Sequence, residues 1–375
     1  MTGKMSMAAK VSVLIVDDSA LMRELLTAVL SEDPEIEVVG SAPDPLVARE
    51  RIKELNPDVV TLDIEMPHMD GLTFLRKIMT LRPMPVIMIS TLTQAGAEVT
   101  LDALEVGAVD FIAKPSTNTA TAISDLASEL RAKVKAAART RVAARRVMPQ
   151  VSRPAVARPA SGLHKGKLIA VGASTGGVEA LKVLLMGFPA DCPPIVITQH
   201  MPPRFTTAFA ARMNKECPMR VSEAQHGDIV EPGHAYIAPG SHHLEIVRQS
   251  GRYVCALNDG PLVSGHRPSV DVLFRSVART AGKLAIGVIL TGMGKDGAEG
   301  LYEMRQAGAI TLGQDEQSSL IYGMPKIAFE RGGVMRQYPL VDMAHAVLNA
   351  CEEHHPPHEG KNPAATVAGA VQRSA

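Results

Sequence analysis

A chain of 375 residues is long for one hydrophobic core, so two domains of about 150 residues each are expected. Its 39 basic and 39 acidic residues balance, so no net charge attracts nucleic acid. We expect a cytoplasmic protein without membrane insertion, because the chain shows no signal peptide, no apolar run near the roughly 18–20 residues of a span, and no ligand-like cysteine spacing.

Short apolar runs alternate with helical patterns over the first third of the chain. Helical spacing from Met22 to Leu30 and from Pro45 to Leu55 separates the first three of these runs. The predicted strands span 11–16, 37–41, 59–62, 85–89 and 109–113. Five strands alternating with helices predict a doubly wound α/β sheet, whose ligands bind at the carboxyl ends of the strands.

Polar residues follow four of these strands. They are Asp17, Asp18, Asp63, Ser90 and Lys114. A single aspartate after a strand is more often a turn or cap residue, but three carboxylates in one crevice need a cation, and oxygen ligands favour Mg²⁺. A carboxylate beside such an ion and a lysine can be a covalent nucleophile toward a phosphoryl group.

With these positions in strand order, residues 11 to about 130 resemble the receiver domain of two-component response regulators. The resemblance implies a five-stranded, flavodoxin-like fold in which Asp63 accepts a phosphoryl group from a chemotaxis histidine kinase. It implies that Asp17, Asp18 and Asp63 bind the Mg²⁺ that phosphorylation requires. The residues implied to respond to phosphorylation are Ser90, Phe111 and Lys114.

A basic, proline-containing segment separates the two halves. Residues 131–167 carry no acidic residue; their first part is rich in Ala and Arg and could extend a helix, and prolines follow from 149. We therefore expect a receiver domain at 9–130, a basic linker at 131–165, a second domain at 166–352 and a flexible tail at 353–375.

The second half opens on an apolar strand from Leu168 to Val171, which breaks at Gly172 before a helix that includes Val178. Ser174 lies at the break. It could be the cap of the helix, part of a phosphate-binding loop, or a nucleophile whose oxyanion neighbouring N–H groups stabilise. The residues of this stretch leave the three alternatives open.

Two more polar residues lie just beyond predicted strands of the second half. His200 follows the strand at 194–199, and Asp296 follows the strand at 284–291, while alternation across 221–257 suggests an antiparallel hairpin. Taken alone, His200 would be an ordinary residue at the end of a strand, and Asp296 would be an ordinary turn residue. Together with Ser174 they have the composition of a nucleophile, a base and an orienting acid, in an order unlike that of α/β-hydrolases.

Residues from about 166 to 350 resemble the catalytic domain of bacterial chemotaxis receptor methylesterases. The stretches that carry the resemblance are 172–177, 198–201, 265–271 and 290–297. It implies a mostly parallel α/β domain in which Ser174, His200 and Asp296 form the catalytic triad. It also implies an oxyanion-hole amide from Met293 and no cofactor for the esterase reaction.

The two resemblances together imply a phosphorylation-activated hydrolase. Its expected substrates are glutamate γ-methyl esters, and particular glutamines, on methyl-accepting chemoreceptors. Two rival hypotheses are a serine esterase or amidase with a small-molecule substrate, and a non-enzymatic module that binds a nucleotide through its glycine loop.

Overall fold

The computed structural model describes residues 10–67, 69–115, 119–140 and 166–352. Most of the expected linker and the whole expected tail therefore lie outside the described residues. Across the described ranges, every helix is too short or too polar to cross a bilayer.

The first domain is a five-stranded parallel sheet with the strand order β2-β1-β3-β4-β5. Each predicted strand is present, and the fold class is confirmed, because this order is the flavodoxin-like one. Its elements are β1 (Val11–Val16), α1 (Ala20–Ser31), β2 (Ile36–Ala42), α2 (Pro45–Leu55), β3 (Val59–Asp63), α3 (Gly71–Leu81), β4 (Val86–Ser90), α4 (Gln94–Val106), β5 (Asp110–Ala113) and α5 (Ala120–Ala137).

Four helices of this domain begin at residues whose side chains accept a hydrogen bond from the first turn. Ser19, Asp44, Asp70 and Thr93 cap α1 to α4 in this way. Each cap satisfies a backbone N–H group that would otherwise lack a partner. The loops at the carboxyl edge of the sheet are thereby fixed at their helical ends.

Helix α5 continues to Ala137, past the boundary expected at residue 130. Leu130, Val134 and Ala137 keep helical spacing and are buried in one core with the strands. On the outer face, Lys135 pairs with Asp33 at 2.8 Å. The basic segment therefore begins inside a helix, because its apolar residues still face the core.

The second domain is built on a seven-stranded sheet with the order β14-β13-β12-β6-β7-β9-β8, in which every neighbouring pair is parallel. Its elements are β6 (Leu168–Ala173), α6 (Gly177–Met186), β7 (Ile195–Gln199), α7 (Phe205–Glu216), β8 (Arg220–Glu223), β9 (His234–Ile237), β10 (His243–Gln249), β11 (Arg252–Asn258), α8 (Val270–Ala281), β12 (Ala285–Ile289), α9 (Ala298–Gln306), β13 (Ile310–Gln314), α10 (Met324–Glu330), β14 (Arg336–Tyr338) and α11 (Leu340–Glu352).

The stretch expected to form a hairpin contains two different structures. β10 and β11 form the antiparallel pair, in register from His243 opposite Asn258 to Gln249 opposite Arg252. β8 and β9 instead join the main sheet as parallel strands, which the sequence pattern did not predict. Alternation identifies strands, but the partner of each strand depends on packing between distant segments.

The chain reverses direction across the sheet at β6. From β6 it passes to β7 on one side, and it later returns to β12 on the other. In open α/β sheets this reversal leaves a crevice beyond the carboxyl ends of the strands. The loops after β6, β7 and β12 therefore meet at one place.

Candidate active site and phosphorylation site

Ser174 lies on the turn between β6 and α6 and does not cap the helix. The cap position belongs to Gly176, whose φ of 76° is left-handed, and no side chain bonds to the first turn. Thr175 Oγ1 instead donates to Asp110 Oδ2 of the first domain at 2.5 Å. The helix-cap alternative for Ser174 is therefore wrong, and its hydroxyl is free to face the crevice.

His200 lies between the serine and the acid. Its Nδ1 is 3.1 Å from Ser174 Oγ, and its Nε2 is 2.7 Å from Asp296 Oδ2. The loops after β6, β7 and β12 thus bring the three predicted residues together. Both ring nitrogens are within hydrogen-bonding distance, as a nucleophile, base and orienting acid require.

Asp296 is buried and held by the first turn of α8. Ser269 Oγ donates to it at 2.8 Å, Val270 N at 2.7 Å and Asp271 N at 3.1 Å. Burial opposes ionisation, but the hydrogen bond from His200 and these backbone donors outweigh it and hold the pKa of the carboxyl below its usual value. The acid is therefore ionised at neutral pH.

Gln199 and Gly292 shape the backbone around the serine. Gln199 Nε2 donates to Ser174 O at 2.9 Å and to His200 O at 3.1 Å, which ties the two loops together. A Cβ on Gly292 would lie 2.8 Å from Ser174 Cβ, so this close approach requires glycine. Met293, the predicted oxyanion-hole residue, follows Gly292 directly and is half-buried.

Three further residues near the site lie in the stretches 198–201 and 265–271 that carry the family resemblance, but no role was predicted for them: Gln199, Ser269 and His266. Ser269 stands just before an apolar helix, which is a signal for a cap residue, and its side chain accepts from Val272 N. His266 stacks on His200, with ring centroids 3.7 Å apart. The residue types of these stretches do not by themselves indicate the contacts that Gln199 and His266 make.

A second serine and histidine are paired in the same domain. Ser222 Oγ lies 2.8 Å from His234 Nε2, on strands β8 and β9. Burial lowers the pKa of His234, and its Nδ1 has no hydrogen-bond partner among the described residues. Among the described residues no acid is hydrogen-bonded to His234, so this pair lacks the third group that the site at Ser174 has.

In the first domain, three carboxylates meet at the carboxyl edge of the sheet. Ligand atoms of Asp17, Asp18 and Asp63 lie within 4.8 Å of one another. Lys114 Nζ is 2.9 Å from Asp63 Oδ1 and 3.2 Å from Asp17 Oδ2. Asp63 Oδ2 is buried with no hydrogen-bond partner in the described ranges, so a small divalent cation with oxygen ligands fits here.

The pKa of Asp63 is shifted by its burial and by the charged groups around it. Burial raises its pKa to about 6, against the opposing effect of Lys114. The pKa of Lys114 is raised, because its ion pairs with Asp63 and Asp17 outweigh its burial.

Ser90 and Phe111 lie on the neighbouring strands β4 and β5. Ser90 is buried at the end of β4 and accepts a hydrogen bond from Thr100 Oγ1 at 2.7 Å. Phe111 faces the second domain, where its ring stacks on that of Phe205 at 4.5 Å between centroids. Of the residues implied to respond to phosphorylation, Phe111 is therefore the one in contact with the second domain.

The two domains enclose a cleft beside Ser174. It has a volume of about 270 Å³ and is lined by Leu104, Asp110 and Phe111 on one side and by Ser174 and Val183 on the other. Around it, Lys182 pairs with Glu105 at 2.8 Å and Arg212 with Asp102 at 2.7 Å. The first domain thus forms one wall of the approach to the serine.

Comparison with known proteins yields two family models. One described as CheB methylesterase matches residues 169–347, and one described as response regulator receiver domain matches residues 13–123. A protein-glutamate methylesterase/protein-glutamine glutaminase of Methylobacillus flagellatus is 55% identical over 90% of this chain and 96% of its own length. One of Caulobacter vibrioides is 57% identical over 91% and 98%.

Among solved structures, the Thermotoga maritima CheB methylesterase catalytic domain is 34% identical to this chain. The match covers 49% of this chain and 98% of that chain, with a TM-score of 0.48.

Proposed function

Since this chain belongs to the protein-glutamate methylesterase/protein-glutamine glutaminase family, we propose that it hydrolyses glutamate γ-methyl esters on methyl-accepting chemoreceptors and deamidates particular glutamines there. The observation that carries the proposal is the position of His200 between Ser174 Oγ and the buried carboxylate of Asp296. Family membership also argues against the nucleotide-binding alternative. A cytoplasmic location follows from the substrate, because the modified receptor helices are cytoplasmic.

The proposed reaction proceeds in two halves. Ser174 Oγ attacks the side-chain carbonyl carbon while His200 Nδ1 takes its proton, and Asp296 stabilises the imidazolium that forms. The amide of Met293 stabilises the oxyanion. His200 returns the proton to the leaving group, which departs as methanol or ammonia. Water then hydrolyses the glutamyl-enzyme by the same steps, releasing glutamate and restoring Ser174.

We propose that the first domain controls this reaction through Asp63, with a chemotaxis histidine kinase as the phosphodonor. Asp17, Asp18 and Asp63 would hold Mg²⁺, which neutralises the carboxylates and the oxygens of the incoming phosphoryl group. A phosphoryl group on Asp63 draws Ser90 and Lys114 toward its oxygens. Phe111 repacks with that shift, and its stack on Phe205 weakens. The first domain then leaves the cleft beside Ser174.

The serine assignment is tested by comparing two alanine variants of the full chain. Ser174→Ala should abolish methanol release from methylated receptor fragments. Ser222→Ala removes another histidine-bonded serine, which lies three strands away in the sheet, and should leave the rate unchanged. Methanol release by the purified Ser174→Ala protein at a near-normal rate would exclude this nucleophile. Release from small methyl esters but never from receptor fragments would favour the small-molecule esterase instead.

A further inference from the structure

His266 is held next to the active site by a tight turn. Val263 N donates to His266 O at 3.1 Å and His266 N donates to Val263 O at 3.0 Å. Between them, Ser264 and Gly265 both have positive φ, at 54° and 83°. Two successive left-handed residues are the signature of a type I′ turn, so the backbone of His266 has a defined position.

The same segment also holds Asp296, the acid that orients His200. Arg267 donates to the carbonyl oxygens of Asp259 and Gly260, at 2.7 and 3.0 Å, which anchors the turn. Immediately after it, Ser269 and the first N–H groups of α8 donate to Asp296. One short stretch of chain therefore controls two of the groups that surround His200.

The two imidazole rings are stacked face to face. Their centroids are 3.7 Å apart and their planes differ by 15°. The contacts of His200 with Ser174 and Asp296 are both made by ring nitrogens, so they leave the ring free to tilt about the line that joins them. A flat partner against one face removes this freedom.

We propose that His266 is a positioning residue for the reaction described above: its ring is a flat platform that fixes the plane of His200, so that the general base stays aligned with both Ser174 and Asp296. The proposal rests on the proposed function, because it assigns His266 a role in the same catalytic step. It requires the aromatic face of His266 and neither of its nitrogens.

The charge of His266 is compatible with this role. Burial, and after it the neighbouring His200, lower the pKa of His266 to about 4. The groups that face it from the surrounding elements are Asp296 and Glu129, which raise the pKa, and Lys133, which lowers it. A neutral ring at neutral pH does not repel the imidazolium that forms on His200 during attack.

The test uses substitutions that separate the ring face from the ring nitrogens. In the full chain, activated by a small phosphodonor with Mg²⁺, kcat and KM for methanol release from a methylated receptor fragment are measured. His266→Phe keeps a flat ring without nitrogens, and we expect its kcat within about twofold of the parent. His266→Leu keeps apolar volume without a flat face, and we expect kcat to fall about 3- to 10-fold with KM unchanged, the range that an aromatic stacking contact supplies.

Two results would overturn the proposal. Equal loss in the Phe and Leu variants would show that an imidazole nitrogen is needed, as in proton transfer or substrate contact. Unchanged kcat in the Leu variant, or a rise in KM alone, would show that the ring does not position His200. Thermal melting of both variants checks the fold; if the Leu variant melts early, the Phe variant and a His266→Gln variant, which keeps polar atoms without a ring, still separate the two roles.

Failure of this proposal is distinguishable from failure of the proposed function. Ser174→Ala is assayed beside the His266 variants. If Ser174→Ala is inactive while His266→Leu is fully active, the assignment of Ser174 is retained and only the proposed role of His266 is excluded. If it retains activity, the triad itself is excluded.

Discussion

At the scale of single residues, Asp296 would determine which nitrogen of His200 acts as the base in the proposed reaction. Its ionised carboxylate lies against Nε2 and therefore favours the tautomer that carries the proton there. Nδ1 is then left with a lone pair toward Ser174 Oγ. The tautomer is set by an acid that lies 96 residues further along the chain.

Asp296→Asn is expected to lower kcat for methanol release by about 10⁴-fold, because an amide can present its donor to Nε2 and favour the wrong tautomer. The substitution also weakens the hydrogen bonds that the side chain at position 296 accepts from Ser269 Oγ and Val270 N. The melting temperature of the variant is therefore measured beside its kinetics. A folded variant with turnover near that of the parent would contradict the assignment of Asp296.

Asp63 should make the first domain less stable as the pH rises in the absence of divalent cations. Its pKa is raised from 3.8 to about 6 in the folded protein. The native state thus holds the proton more tightly than the unfolded chain, and the associated stability is present below about pH 4 and lost as the pH rises through about 6. The raised pKa corresponds to about 2–3 kcal/mol.

Asparagine at position 63 does not ionise, so the variant should not lose this stability as the pH rises. The free energy of unfolding of Asp63→Asn relative to that of the parent should therefore increase from pH 4.5 to pH 7.5. Calorimetry in EDTA at both pH values measures the difference. Asp125→Asn, at an exposed position of α5, is the matched control and should show no such gain. An identical pH dependence for parent and Asp63→Asn would show that burial does not disfavour the charged carboxylate.

At the scale of elements, α4 of the first domain packs against α6 and α7 of the second. The contact combines apolar and charged parts. Phe111 and Phe205 belong to one continuous buried cluster that spans both domains, and Lys182 and Arg212 reach acidic residues of α4 at its rim. Partly exposed ion pairs of this kind contribute about 1 kcal/mol each at most.

Arg212→Gln is expected to raise methanol release by the unphosphorylated chain about two- to fivefold. The substitution removes ion pairs with Asp102 and Glu105 and so weakens the closed arrangement by about 1 kcal/mol. Arg279→Gln, which breaks a surface pair within the second domain alone, serves as the control. Equal basal rates in the two variants would show that the charged rim does not hold the domains together.

At the scale of the whole molecule, the described residues form two domains joined by a segment of which only the beginning is described. Helix α5 is packed as far as Ala137. We therefore expect the first protease cleavage between residues 141 and 165, because this segment is polar and contains prolines. The expected cleavage site lies C-terminal to the start of the basic run at residue 131. Cleavage first inside either domain would contradict the proposed domain boundaries.

The fragment that begins near residue 166 should release methanol without any phosphodonor, because it lacks the wall formed by Leu104, Asp110 and Phe111. The full chain should need a small phosphodonor with Mg²⁺ to reach a similar rate, and Asp63→Asn should block that rise. Should the fragment be no faster than the unphosphorylated full chain, inhibition by the first domain would be excluded. Activation by contact would then explain the coupling.

The sequence by itself determined most of the strands and the polar residues that follow them, although β14 was not predicted. Apolar runs such as 13–16 and 195–199 are buried on both faces of a parallel sheet, so such strands can be recognised from the local sequence. Asp63, Ser174, His200 and Asp296 could be proposed because the carboxyl ends of parallel strands share one edge.

Only the tertiary structure decided the orientation of these groups and the contacts that surround them. The pairing of Thr175 with Asp110 and the stacks of Phe111 on Phe205 and of His266 on His200 join segments that are far apart in the chain. No local pattern predicts such contacts, because they arise when separate elements pack together. The parallel pairing of β8 with β9 was missed for the same reason.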